Sequence, residues 1–186
     1  SEYFSSNYDP HVWFNIEYFK IFAEKVAETL AEKDPKNAQF YLDNEQKYQM
    51  DLDKLLSDVE DVVSALPVDE RILITAHDAF NYFGKAFDFN VIGLQGLSTA
   101  TEAGVQDVQK LSAFIIENKV KAIFIESSVP KRTIEALQEA VKSKGHEVKI
   151  GGTLYSDALG DADTREGTYL GMYRYNIKTI VNSLLQ

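Results

Sequence analysis

The residues in this chain that can do chemistry are few, and their types are restrictive. It has three histidines and no cysteine. Disulfides and thiolate metal sites are therefore impossible, and imidazole with carboxylate is the set from which this composition can readily build a transition-metal site. Nitrogen plus carboxylate oxygen suits zinc, manganese or iron, whereas calcium and magnesium prefer all-oxygen shells. His11 stands in Asp9-Pro10-His11-Val12-Trp13, where a rigid turn and a bulky aromatic would hold an imidazole in one place. His77 directly follows an apolar run and precedes Asp78, which can cap the next helix and leave the imidazole free. A ligand and a hydrogen-bonded structural histidine both fit that position. Glu126 follows a second apolar run, and Asp157 lies a few residues past a third, in a glycine-containing loop. His146 precedes a strand rather than following one and reads as structural. Ser127 and Ser128 lack a Gly-x-Ser-x-Gly elbow, and Gly151-Gly152 is not a dinucleotide-binding fingerprint, so nucleophilic and nucleotide chemistry have little support.

The elements that must position these residues can be read from periodicity. After an aperiodic polar and aromatic opening over 1–8, Val12, Ile16, Phe19, Phe22, Val26 and Leu30 recur at helical steps. Either Asp9 or Asn15 can cap that helix. Asp34-Pro35 restarts the chain, and the next stretch is free of Gly and Pro as far as Pro67. Its apolar positions Tyr48, Leu52, Leu55, Val59, Val62 and Leu66 predict one helix roughly 45 Å long at about 1.5 Å per residue, a strut. Beyond it, short apolar runs over 72–75, 91–94, 122–125 and 148–150 alternate with helical stretches over 79–87, 101–118, 130–144 and 168–185. Alternation of this kind predicts an α/β fold: a parallel four-stranded sheet with helices on both faces, preceded by the long helix. Three parts are expected, at 1–34, 35–67 and 68–186. Ligands in open α/β sheets collect beyond the carboxyl ends of the strands, the edge to which His77, Glu126 and Asp157 are assigned.

Composition narrows the function classes. Against 19 Lys plus Arg there are 29 Asp plus Glu, a net charge of −10, with no basic run to bind a phosphate backbone, so no nucleic-acid partner is expected. A hydrophobic fraction of 45% is ample for a packed core. No apolar stretch approaches the roughly 20 residues of a membrane-spanning helix.

Four segments together resemble a known family. Asp9-Pro10-His11-Val12-Trp13, Thr75-Ala76-His77-Asp78-Ala79-Phe80 with Tyr82-Phe83, Phe124-Ile125-Glu126-Ser127-Ser128 and Ser156-Asp157-Ala158-Leu159-Gly160 are similar to the motifs of the TroA-like zinc- and manganese-binding solute-binding proteins of ABC importers. The resemblance spans essentially the whole chain, in order. It implies two α/β lobes joined by one long helix, with this chain supplying the C-terminal lobe and the helix. It implies His11, His77 and Asp157 as metal ligands, with Glu126 behind them orienting an imidazole or a loop. Manganese-selective relatives often carry Glu where His77 stands, which tilts the expectation toward Zn2+ while Mn2+ stays open. The His-rich loop of zinc-type members has no counterpart. A further ligand histidine is expected upstream of Ser1, in an N-terminal lobe missing from this chain. The chain alone should then hold metal weakly, and the apolar seam from Tyr48 to Leu66 is expected to lie bare and promote self-association.

The function implied is capture of a divalent cation outside the cytoplasmic membrane by a protein anchored as a lipoprotein, and its delivery to an ABC permease, with no reaction catalysed. The alternative is a zinc hydrolase using a three-ligand open site with Glu126 as base. A third reading is an interaction or adhesion module with an acidic surface.

Overall fold

The computed structural model describes residues 8–97 and 103–186; the opening stretch 1–7 and the first residues of the helix expected over 101–118 lie outside that description. Two 3-10 turns and two α-helices build the entry. Val12–Phe14 forms a 3-10 turn, and Asn15 then caps α1 (Ile16–Lys33), its side chain accepting from the Tyr18 amide. Of the two caps weighed, Asn15 is therefore the one used, because the 3-10 turn separates Asp9 from the helix. Pro35–Asn37 makes a second 3-10 turn after Asp34, and α2 (Ala38–Ser64) follows without interruption.

The alternating half contains β1 (Ile72–Thr75), α3 (Asn81–Phe87), β2 (Asn90–Gly93), α4 (Val105–Glu117), β3 (Ala122–Glu126), α5 (Arg132–Ser143), β4 (Lys149–Leu154) and α6 (Tyr169–Leu184). All four expected strands are present and parallel. They form two hydrogen-bonded pairs, β1 with β2 and β3 with β4, and the pairs meet where β1 lies against β3. Successive side chains on a strand point to opposite faces. Leu73 and Phe124 accordingly enter one core with α2, α3 and α6, while their neighbours Ile74 and Ile123 enter a second core with α4 and α5. Helices cover both faces, as the alternation of runs implies.

Strand β4 is longer than its apolar run. Ile123 pairs with Ile150 but Phe124 pairs with Gly152, so Gly151 is an extra residue in the ladder. A Cβ at Gly151 would stand 2.6 Å from the Phe124 ring and 2.7 Å from Ser183 Cβ. Glycine there lets the strand continue to Leu154, and Asp157 emerges three residues beyond its end.

One expectation is overturned. In the seam from Tyr48 to Leu66, Leu52, Leu55, Val59 and Leu66 are buried and Tyr48 and Val62 half-buried, because α2 lies along α6 and closes the first core. The bare apolar surface is instead on α1 and the start of α2, where Tyr18, Ile21, Phe22, Val26, Leu30 and Phe40 are exposed. Most of the α2 seam therefore does not lie bare.

Candidate metal centre

His11, His77 and Asp157 come from three separate segments, the entry turn, the end of β1 and the loop after β4, that packing brings together. His11 precedes the first 3-10 turn, whose backbone is seized by α6: Tyr169 Oη donates to the Trp13 carbonyl at 2.7 Å and Tyr173 Oη to the Phe14 carbonyl at 2.8 Å. His77 leaves the end of β1. There Thr75 Oγ1 donates to the His77 carbonyl at 2.8 Å, and the chain beyond β2 continues alongside, Gln95 donating its amide to the Ala76 carbonyl at 2.9 Å. That close approach needs Gly93, where a Cβ would lie 2.5 Å from the Asp78 amide nitrogen. Asp157 sits in the loop after β4, and the Ser127 amide, donating to the Leu154 carbonyl, holds that loop beside the end of β3.

One ligand-type atom from each of the three residues lies within 4.8 Å of the others. Asp157 bridges the imidazoles: its Oδ1 is 3.5 Å from His11 Nε2 and its Oδ2 is 3.4 Å from His77 Nε2. The rings are edge to face with centroids 5.2 Å apart. His77 is fully buried and His11 is 4% exposed, whereas the Asp157 side chain is 34% exposed, so the gap opens to solvent on the carboxylate side.

Each imidazole turns its other nitrogen to a carboxylate. Asp9 Oδ1 accepts from the His11 amide at 2.9 Å and lies 2.6 Å from His11 Nδ1. Glu126 Oε1 accepts from the His77 amide at 2.7 Å, and Glu126 Oε2 stands 2.6 Å from His77 Nδ1 as an ion pair. An ionised carboxylate only accepts, so both Nδ1 atoms carry their protons and both Nε2 atoms face the gap as the potential lone pairs. His77 Nε2 is buried there without a hydrogen-bond partner among the described residues. Asp9 is anchored in turn by α3, with Asn81 Nδ2 donating to Asp9 Oδ2 at 3.1 Å and Tyr82 Oη to its carbonyl at 3.2 Å.

The charges respond to this arrangement. Burial depresses the His77 imidazole, but the Asp157 and Glu126 carboxylates on either side more than reverse it, and its pKa rises from 6.5 to about 9. The same His77 contact holds the Asp157 carboxyl below its ordinary value, assisted by His11 and by the Ser128 hydroxyl. In the absence of a cation, these carboxylates favour the protonated form of His77.

Asp9 was missed by sequence reasoning, which weighed it only as a helix cap; the signal was its spacing, two residues before a histidine across a proline. The fourth residue singled out, Glu126, is 1% exposed with both oxygens on His77. It faces the ring nitrogen opposite the gap. A general base must reach the water that it deprotonates, so the expectation of Glu126 as a hydrolase base is not supported. His146 lies partly exposed between α5 and β4, at the opposite edge of the strands.

Comparison with known proteins gives this cluster its context. A family model described as zinc-uptake complex component A, periplasmic (ZnuA), matches residues 2–183. The chain belongs to the ZnuA family. It is 49% identical over 179 residues to the zinc-binding protein TroA of Treponema pallidum, covering 96% of this chain and 58% of that protein. To the manganese-binding lipoprotein MntA of Bacillus subtilis it is 44% identical over 177 residues, covering 95% of this chain and 58% of MntA. A solved structure of the periplasmic zinc-binding protein TroA from Treponema pallidum matches with a TM-score of 0.93 at 50% identity, over 95% of this chain and 64% of that one. The TroA-like resemblance carried by the four motifs and the α/β fold both hold, and this chain spans about 58% of the length of these two relatives.

Proposed function

We propose that this chain is the larger part of an extracytoplasmic solute-binding protein that captures Zn2+ or Mn2+ and delivers it to an ABC import permease, with His11 Nε2, His77 Nε2 and the Asp157 carboxylate as ligands. The observation that carries the proposal is the shared orientation of the imidazoles, each with Nδ1 against a carboxylate and Nε2 toward Asp157. Outer carboxylates of this kind fix the tautomer and raise the basicity of a ligating histidine. Two nitrogens and one carboxylate favour zinc by ligand softness, and the names of the relatives, one zinc-binding and one manganese-binding, keep both metals in the proposal.

Capture needs no catalysis. Loss of the His77 proton exposes its lone pair, a cation takes the place of that positive charge, and Asp157 admits it from the solvent side. Three protein ligands leave a position open. The longer relatives have further chain, and a histidine from an additional lobe is the proposed fourth ligand. That lobe would also cover the exposed face of α1, where Phe19, Phe22, Val26 and Leu30 line a groove with Tyr41 and Tyr48.

The test is thermal melting with and without added Zn2+ or Mn2+, repeated for His77→Ala. A cation that binds only the folded chain raises the melting temperature, and the variant should show no rise. An unchanged melting temperature for the parent chain would count against the proposal.

A further inference from the structure

Asp157 is the most exposed member of the cluster and belongs to a loop, whereas the imidazoles are walled in by core elements. Something must hold its carboxylate against them. Ser156, immediately before it, is 2% exposed, and its carbonyl accepts from Trp13 Nε1 at 3.0 Å. On the other side, Ser156 Oγ lies 2.7 Å from Ser128 Oγ at the end of β3. Trp13 is also two residues past His11, with its ring edge-on to that imidazole at a centroid distance of 5.3 Å. Its own carbonyl is fixed by Tyr169. One side chain therefore ties together positions 143 residues apart in the chain.

We infer that Trp13 is a positioning residue of this centre: its indole N–H sets the place of the Asp157 carboxylate relative to His11. The inference rests on the metal-binding reading above. Trp13→Phe keeps an aromatic ring beside His11 but removes the N–H, leaving the Ser156 carbonyl free to swing with the loop. The residue acts through Asp157, so its effect must vanish when Asp157 is gone.

The experiment is a Zn2+ titration against a competing chromophoric chelator for the parent chain, Trp13→Phe, Asp157→Ala and the double variant. Outer positioning groups are worth about 10- to 100-fold in metal affinity, and one acting through a single exposed ligand is expected at the lower end, about tenfold. Trp13→Phe should weaken binding by that factor in the parent and leave the affinity of Asp157→Ala unchanged. Equal losses in both backgrounds would make Trp13 a general packing residue and overturn the inference, as would no loss in either. Absence of Zn2+ binding by the parent chain would instead defeat the metal-binding reading and this inference with it. A second measurement needs no substitution at Trp13. It is the chain's single tryptophan, so its indole N–H gives one resonance, whose solvent exchange should slow on Zn2+ addition to the parent and not to Asp157→Ala. Exchange indifferent to Zn2+ in the parent would count against the assignment.

Discussion

Replacing Glu126 by glutamine tests the division of labour between the two nitrogens of His77. The substitution conserves volume and an acceptor: the amide oxygen can still take the His77 backbone N–H now held at 2.7 Å. It replaces the oxygen standing 2.6 Å from His77 Nδ1 with an NH2 donor. Facing a donor, the imidazole must present a lone pair at Nδ1, which moves its single neutral-form proton to Nε2, the atom that points into the gap. Binding a cation then requires the tautomer to be reversed against two opposed N–H groups. The loss is about one charge-assisted contact, roughly 1.5–3 kcal/mol, equivalent to about 10- to 100-fold in affinity and matching what outer carboxylates contribute to other histidine metal sites. Chelator competition at fixed pH reads this directly, and melting of the metal-free variant checks that it folds. With its Glu126 contact gone, the His77 pKa should also fall from about 9, which proton NMR of the imidazole follows. An affinity within about twofold of the parent, in a folded variant, would refute the tautomer argument.

Other consequences can be checked on the same protein. The folded pKa of His77 is raised to about 9 from an unfolded value of 6.5, so its contribution to metal-free stability is complete below pH 6.5 and is lost as pH climbs through 9. Metal-free melts should therefore show that component falling between those limits, while chelator-competition affinity for Zn2+ rises over the same range as the competing proton leaves; a pH-independent affinity would contradict it. Tyr173→Phe strands the buried Phe14 carbonyl that Tyr173 now serves at 2.8 Å. It should cost about 1–3 kcal/mol, a drop of about 2–4 °C per kcal/mol for a chain of this size, read by calorimetry. Gly93→Ala puts a methyl 2.5 Å from the Asp78 amide and forces the loop after His77 to move. It should destabilise by about 1–3 kcal/mol and weaken the Zn2+ response in thermal melting, whereas Gly96→Ala, with open space at the Cβ position, should do neither.

Much of the architecture could be read in the chain because burial on both sides of a parallel strand leaves short apolar runs, and each run over 72–75, 91–94, 122–125 and 148–150 marks a strand. The same logic put His77, Glu126 and Asp157 at one edge. Other features depend on partners that periodicity does not identify. Apolar spacing along α2 shows which face seeks cover but not that α6 supplies it, so the seam was expected bare when Leu52, Leu55 and Val59 are fully buried. Strand β4 was expected to stop at its glycines, which only the approach of Phe124 and Ser183 explains. Asp9 was legible as a turn residue; its closure onto His11 Nδ1 depends on Asn81 and Tyr82, more than 70 residues away.

The central claim is that His11, His77 and Asp157 hold one cation through two Nε2 atoms and a carboxylate. X-ray absorption at the zinc edge on the Zn2+-loaded chain addresses it most directly. The account predicts a first shell containing two imidazole nitrogens and carboxylate oxygen at about 2.0–2.2 Å, falling to one imidazole in His77→Ala. A shell without imidazole scattering, or one unchanged by His77→Ala, would contradict it.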